Sequence, residues 1–236
     1  MSALEQLLQT YYTVYGALSP YIGTLVKYQT LASSYLPKFP HPIFYVAAVA
    51  IVLHVANYNA TAQVEHRTRI FTKIFGSPAV YLYAVYLVLS ALVRDHYVKE
   101  AVEGDAGSLI LLDQPLANTL SNILIYSGIF LNLWTLKALG IKGMYNGDSF
   151  GHLMSAPVTD GPYRFFSDPQ YVGTTWVLLG YAVKWQSFTG YVLTVILYLT
   201  FLFSVHFIEG PHMRRIYANK GPVKTPKSKK RVKKVD

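Results

Sequence analysis

The segment 140–171 is the longest polar stretch between apolar runs, and it carries groups that can do chemistry. Arg164 and Asp168 stand four residues apart among glycines and prolines, a spacing that lets both side chains face one site from a turn-rich loop. A guanidinium presents a planar fork of donors suited to phosphate, and a carboxylate can orient that fork or attract an ammonium group. An alternative is that the two residues form an ion pair that only holds the loop together.

A second candidate is Glu209, which directly follows a run of 24 residues without Asp, Glu, Lys or Arg. An acid at the C-terminal end of a helix opposes the helix dipole, so it needs a compensating cation. Arg214, Arg215 or a cationic ligand would supply one. An ionisable group at the edge of a membrane helix is a functional hypothesis, although an ordinary interfacial acid fits the same pattern.

Metal chemistry is not expected from this sequence. It has no cysteine, and its histidines lack the spacing that places two ligands on one helical face. We therefore predict no metal site, although four histidines fall near the face that carries the loop: His66, His152, His206 and His212.

The elements that position these groups are predicted to be membrane helices. Hydrophobic residues make up 52% of the 236 residues and charged residues 14%, against about 25% in soluble domains. Charge-free runs long enough to cross a bilayer cover 39–64, 74–93 and 114–136, and a helical hairpin follows over 171–182 and 188–208. The predicted fold is an all-α polytopic membrane helix bundle with a C-terminal helical hairpin and an active-site loop at the cytosolic face. Three divisions are expected: an interfacial or re-entrant segment over 1–38, a membrane domain over 39–213 and a basic cytosolic tail over 214–236.

The distribution of charge sets the expected orientation. Residues 1–213 hold equal numbers of basic and acidic groups, so the net charge of +9 lies in the tail. The loop 65–73 is net positive and the segment 94–113 is net negative, which places the former and the tail in the cytosol. Lys233 and Lys234 match a dilysine retrieval signal, so we expect a multi-pass protein of the endoplasmic reticulum membrane. A basic tail can also bind nucleic acid or anionic lipid, but the apolar body argues against nucleic acid.

Several short motifs together resemble one family. Gly161-Pro162-Tyr163-Arg164 and the following Asp168-Pro169-x-Tyr171-x-Gly173 resemble the signature of integral-membrane methyltransferases. The stretch Glu65-His66-Arg67-Thr68-Arg69 and the run Gly147-Asp148-x-Phe150-Gly151 are similar to motifs of the phospholipid N-methyltransferases within that group. The resemblance extends over roughly residues 43–217.

That resemblance implies an enzyme that uses S-adenosyl-L-methionine to methylate phosphatidyl-N-methylethanolamine and phosphatidyl-N,N-dimethylethanolamine towards phosphatidylcholine. The family's cofactor motifs fall on Tyr126-Ser127-Gly128, where the first glycine is replaced, and on Glu209-Gly210, where the second acid is absent. The implied catalytic residues are Asp148, Arg164, Asp168 and Tyr171.

The same chemistry indicates which further residues and partners are expected. Methyl transfer needs a free amine, so the site must take a proton from the lipid ammonium, and aromatic faces suit cationic groups. The aromatic candidates are Tyr145, Tyr163, Phe165 and Tyr171. The expected partner is a phospholipid substrate in the membrane, with no nucleic acid and no protein partner implied. Two alternatives are a prenylcysteine carboxyl methyltransferase and a non-catalytic lipid-binding or scaffold protein of the same fold.

Overall fold

A computed structural model describes residues 41–218, and every regular element in that part of the chain is helical. The predicted all-α fold is therefore confirmed. The N-terminal segment 1–38 and the tail beyond Ala218, with Lys233 and Lys234, lie outside the described residues. The helices are α1 (Pro42–Thr68), α2 (Ile70–Phe75), α3 (Ala79–Gly104), α4 (Gln114–Met144), α5 (Pro169–Trp185), α6 (Phe188–Phe203) and α7 (Gly210–Ala218).

Three helical stretches in the described part of the chain are long and apolar enough to cross a membrane. They cover Pro42–Thr68, Gln114–Phe150 and Phe188–Ala218. Many large apolar side chains on the outer surface of the bundle are exposed, among them Leu92, Phe130 and Leu199. A surface of this kind is typical of helices that face lipid, which agrees with a polytopic membrane protein.

The helix ends follow simple local signals. Helices α1, α4 and α5 each carry proline in the first turn, where no backbone donor is lost. Ser187 caps the start of helix α6, because its hydroxyl accepts a hydrogen bond from the Gly190 amide at 3.0 Å. Gly140 has a φ of 66° and kinks α4 near its C-terminal end.

The boundary predicted for the second long helix was wrong. Helix α3 does not stop at residue 93 but continues to Gly104, so Arg94 lies within it and is only 8% exposed. The charged residues of 94–104 mislead because most of them lie on the outer face, where Lys99 and Glu103 pair at 3.0 Å. Val98 and Val102 continue the buried face of the helix.

The predicted C-terminal hairpin is confirmed, and its turn is fixed to the connection between α3 and α4. The Oδ2 atom of Asp105 accepts hydrogen bonds from the Thr189 amide at 2.7 Å and from the Ser187 hydroxyl at 3.1 Å. The Oε1 atom of Gln186 accepts bonds from the Leu111 and Leu112 amides. Because this turn lies at one end of the bundle, the start of α5 and the end of α6 meet at the other end.

The long helices pack around a common core. The most extensive contact is between α4 and α5, and α6 packs against α1, α3 and α5. The core side chains include Ile51, Val80, Val102, Leu193 and Leu197. Helices α3 and α4 touch little, which leaves a seam between them.

Candidate active site

Three carboxylates from separate parts of the chain line one cavity of about 400 Å³ at the end of the bundle opposite the hairpin turn. They are Asp148, Asp168 and Glu209. The hairpin brings Asp168, at the start of α5, next to Glu209, just beyond the end of α6. Of the predicted catalytic set, the structure thus brings together Asp148, Asp168 and Tyr171, which lies on the same wall.

Glu209 ends a π-helical turn, Ser204–Glu209, that interrupts the regular helix between α6 and α7. Turns of this kind often occur at functional sites because they redirect a side chain without breaking the helix. A Cβ atom at Gly210 would lie 2.6 Å from the carbonyl oxygen of Val205. The turn therefore accommodates glycine where the family motif has a second acid.

A chain of hydroxyl groups leads to the Glu209 carboxylate. Tyr171 donates to its Oε2 atom at 2.5 Å, and the Tyr58 hydroxyl lies 3.0 Å from that of Tyr171. The Tyr171 ring also stacks on Phe201, with ring centroids 4.4 Å apart. These contacts hold the phenol and the carboxylate in fixed positions, which is the preorganisation a binding site for a charged ligand needs.

Asp148 is held in place by a residue of α7, the last described helix. It lies in a short 3₁₀ turn, Gly147–Phe150, is 7% exposed, and accepts a hydrogen bond from the Tyr217 hydroxyl at 2.5 Å. The same hydroxyl accepts a bond from the Met154 amide at 3.1 Å. Helix α7 thereby fixes the loop that carries Asp148 against the mouth of the cavity.

Asp168 and Tyr163 lie in the loop over residues 161–168, which we call the signature loop, and both side chains line the cavity. Partial burial of the Asp168 carboxyl raises its pKa above the usual value. Burial, together with the charges of Asp168 and Glu209, raises the pKa of Tyr163 to about 12. Tyr163 therefore stays a neutral phenol with a proton to donate, while Asp168 becomes a better base.

Arg164 lies apart from this group. Its side chain is exposed and is not among those lining the cavity. The ion pairs of residues 41–218 do not include one between Arg164 and Asp168, so the alternative of a pair that holds the loop together is not supported. The role of Arg164 stays a prediction.

The segment Tyr126-Ser127-Gly128 lies on α4, away from the cavity wall. The Tyr126 side chain is 69% exposed on the outer surface. A Cβ atom at Gly128 would lie 2.5 Å from the carbonyl oxygen of Gly173 on α5. The geometry gives Gly128 a packing role, because two helices approach closely only across small residues; a cofactor role for this segment stays a prediction.

Three of the four aromatic candidates line the cavity and one does not. Tyr145, Tyr163 and Tyr171 line the cavity, whereas Phe165 is 70% exposed and packs near Trp134. The cavity therefore combines phenol rings with carboxylates, both of which attract cations.

Sequence reasoning missed three contributors to this site. Tyr58 belongs to none of the motifs, Tyr217 falls within the segment 214–236 assigned to the tail, and Arg94 falls in the segment 94–113 between predicted helices. Only Arg94 gave a signal, because a lone arginine after a long apolar run is a candidate for a buried cation. Within residues 41–218, no three His, Asp or Glu side chains lie close enough together to hold a metal ion.

The first residue of the motif at 65–69, Glu65, has a structural role. The Glu65 side chain is fully buried and accepts hydrogen bonds from the Phe71 amide at 2.8 Å and from the Thr72 hydroxyl. It caps the start of α2 after Arg69, which has a positive φ of 57°. The cap thereby fixes the turn from α1 into α2.

The fold and the cavity define a polytopic helical membrane protein with an acidic, aromatic-lined site at one end of the bundle. Residues 116–220 match a family model described as phospholipid methyltransferase. Phosphatidylethanolamine N-methyltransferase B of Dictyostelium discoideum is 56% identical over 175 residues, which are 74% of this chain and 88% of that protein. The human phosphatidylethanolamine N-methyltransferase is 35% identical over 76% of this chain and 90% of its own length.

A further relative, phosphatidyl-N-methylethanolamine N-methyltransferase of Emericella nidulans, is 34% identical over 81% of this chain and 93% of that protein. No solved structure matches the chain. On these similarities the chain belongs to the phospholipid methyltransferase family, as its motifs predicted.

Proposed function

We propose that this protein is a membrane enzyme that uses S-adenosyl-L-methionine to N-methylate phosphatidyl-N-methylethanolamine and phosphatidyl-N,N-dimethylethanolamine, forming phosphatidylcholine. The observation that carries the proposal is the convergence of Asp148, Asp168 and Glu209 on one cavity in a chain of the phospholipid methyltransferase family. A cluster of carboxylates at the edge of a membrane suits a cationic methyl donor and a lipid ammonium. Nothing in the geometry favours the carboxyl methyltransferase or the scaffold.

The residues present fit the cofactor. When bound, S-adenosyl-L-methionine supplies an electrophilic methyl group attached to a positively charged sulfur. Glu209 offers a carboxylate held by Tyr171, and Tyr145 and Tyr163 offer ring faces on the same wall. Carboxylates and phenol rings both stabilise such a cation.

The chain must also remove a proton from the lipid amine, since a protonated ammonium has no free electron pair. Asp168 is the preferred base, because its raised pKa lies closer to neutral pH than that of an ordinary aspartate. Tyr171 holds the Glu209 carboxylate in place, and Tyr163 keeps its own proton because its pKa is raised. The cavity opens at the end of the bundle, where a water-soluble cofactor and a membrane lipid can meet.

We further propose that this end faces the cytosol and that the protein resides in the endoplasmic reticulum membrane with a cytosolic C-terminus. The charge distribution and the dilysine sequence support this assignment. A C-terminal tag should be protease-accessible in sealed vesicles from that membrane, and full protection of the tag would contradict the orientation.

The proposed function is tested by a methylation assay on purified protein in mixed micelles. The un-, mono- and dimethylated lipids are offered separately with labelled cofactor, because one relative at 56% identity is named for the unmethylated lipid. We expect turnover with the mono- and dimethylated lipids. Cofactor binding without transfer to any of the three would contradict the proposal, and transfer to prenylcysteine would favour the carboxyl methyltransferase.

We expect Asp168→Asn to lower turnover and to remove the acidic limb of its pH dependence. In the unmodified enzyme, turnover should fall as the pH drops through the raised pKa of Asp168, because the protonated carboxyl cannot accept the amine proton. The measurement is turnover against pH at saturating lipid and cofactor. Asp160→Asn is the matched control, since Asp160 is an acid of the same loop that does not line the cavity. An unchanged acidic limb in Asp168→Asn would show that another group takes the proton.

A further inference from the structure

Arg94 is the one side chain shared by three cavities in the described part of the chain. The first is the cavity of the candidate site. The second, which we call the lateral cavity, has a volume of about 570 Å³ and lies among α1, α3, α4, α5 and α6 beside the seam between α3 and α4. The third is a groove of about 460 Å³ between α1 and α3.

The lateral cavity and the groove have the character of a lipid-binding surface. Seven aliphatic side chains line the lateral cavity: Ile51, Val98, Ile125, Ile129, Val177, Leu178 and Leu197. The groove is lined on its α1 side by Val46, Val49 and Leu53. The site cavity instead holds three carboxylates, so a polar and two apolar compartments meet at Arg94.

The guanidinium of Arg94 has N–H donors that no protein acceptor within residues 41–218 satisfies. Its Nε and Nη2 atoms both contact the same oxygen of Asp95, at 2.8 and 2.7 Å, and that aspartate side chain is 57% exposed. A guanidinium has five N–H donors, and residues 41–218 provide no other hydrogen-bond partner for this one. A cation that is 8% exposed and whose only counter-ion faces outward is costly unless a second anion binds to it.

We propose that Arg94 binds the phosphodiester of the lipid substrate. The lipid amine then lies in the site cavity near the carboxylates, and the acyl chains follow the lateral cavity and the groove. The inference deepens the proposed function and rests on it. A zwitterionic head group needs a cation for its phosphate and anions for its ammonium. Among residues 41–218, Arg94 is the only Lys or Arg on the wall of the site cavity.

Besides Arg94, the wall shared by the site cavity and the lateral cavity carries a second polar group that can bind a ligand. Arg94, Asn132 and Thr174 line both cavities. The Oδ1 atom of Asn132 is buried and has no hydrogen-bond partner. A buried acceptor of this kind is costly, and it suits a donor on a bound ligand. Asn132 lies between the two cavities, so a lipid that entered between α3 and α4 would pass it as its amine reached the carboxylates.

The test compares Arg94→Lys and Arg94→Met in mixed micelles, with the monomethylated lipid varied at saturating cofactor and the cofactor varied at saturating lipid. Lysine keeps the charge but loses the fork, whereas methionine loses both. Loss of a charge-assisted contact should raise the lipid KM of Arg94→Met by about 10-fold or more, with a smaller rise for Arg94→Lys and an unchanged cofactor KM. Lys184→Met is the control, because Lys184 lies over the Trp185 ring at the far end of the hairpin.

Competition identifies which part of the lipid Arg94 contacts. Phosphatidylcholine carries the phosphate, and a long-chain trialkylamine carries a cationic head without one. In Arg94→Met, we expect inhibition by phosphatidylcholine to weaken about 10-fold and inhibition by the amine to stay the same. Equal weakening of both would mean a general distortion and would overturn the proposal.

Two other results would also overturn it. A raised cofactor KM with an unchanged lipid KM would assign Arg94 to the cofactor's carboxylate, and a lipid KM that responds to Arg164→Lys but not to either Arg94 variant would place the phosphate at the signature loop. If Arg94→Met does not accumulate, an unchanged lipid KM in Arg94→Lys is decisive against the proposal. Failure of the proposed function can be told apart from failure of this inference. In the former case the unmodified protein itself would transfer no methyl group.

Discussion

Glu209→Gln should raise the KM for S-adenosyl-L-methionine by about 10- to 150-fold, because a charge-assisted hydrogen bond contributes roughly 1.5–3 kcal/mol. Glutamine keeps an oxygen that can accept the Tyr171 hydroxyl, now found at 2.5 Å. The hydroxyl chain and the π-helical turn should therefore persist, and the protein should still accumulate. The measurement is the cofactor KM at saturating monomethylated lipid, per unit of purified protein.

Glu103→Gln provides a matched control for this substitution. Glu103 also accepts a hydrogen bond from a tyrosine, Tyr181, but it lies on α3 near the hairpin turn, at the other end of the bundle. Its replacement should leave the cofactor KM unchanged. A normal cofactor KM and normal turnover in Glu209→Gln would remove Glu209 from the binding site.

The second large effect is expected at a glycine rather than at a charged group. Gly128→Leu should prevent the close approach of α4 and α5, since even a Cβ atom at this position would lie 2.5 Å from a backbone oxygen of Gly173. Overpacking typically costs about 1–3 kcal/mol, and backbone cannot yield as a side chain can. We expect a lower unfolding temperature in detergent and less monodisperse protein on gel filtration.

Gly104→Leu is the control, because a Cβ atom at Gly104 meets nothing within 4 Å. It should accumulate and unfold like the unmodified protein. Normal stability of Gly128→Leu would contradict the packing role, and a raised cofactor KM in Ser127→Ala would instead support the predicted cofactor role of this segment.

The helical architecture was predictable because its signals are local and strong. Apolar runs, prolines in the first turn and the short polar connection before Phe188 define α1, α4 and the hairpin, and each occurs where the structure has it. The end of α3 was not predictable by counting charges. Charges on one face of a helix and apolar residues on the other allow it to continue past a hydrophobic run, as residues 94–104 do.

The candidate site was predictable in its acids and in the aromatic residues of its motifs, but not in the contacts that hold them. Asp148, Asp168 and Glu209 stand out because carboxylates are rare in this chain, and the motifs add weight to each. Their partners depend on tertiary contacts between positions far apart in the sequence, such as Tyr58 with Tyr171 and Tyr217 with Asp148. Nothing in the local sequence of Tyr58 or Tyr217 distinguishes them from the many tyrosines that only pack at a membrane surface.

The position of Glu209 and Tyr217 late in the chain has a consequence for biosynthesis. Helices α1 to α5 emerge from the ribosome before the residues that complete the cavity, so Asp148 lacks its Tyr217 partner and Tyr171 lacks Glu209 until α6 and α7 have been made. A nascent chain that stops within α6 can insert its earlier helices yet has no finished cavity. Assembly of the bundle therefore precedes acquisition of activity, and cells that accumulate such shortened products would hold inserted but inactive protein.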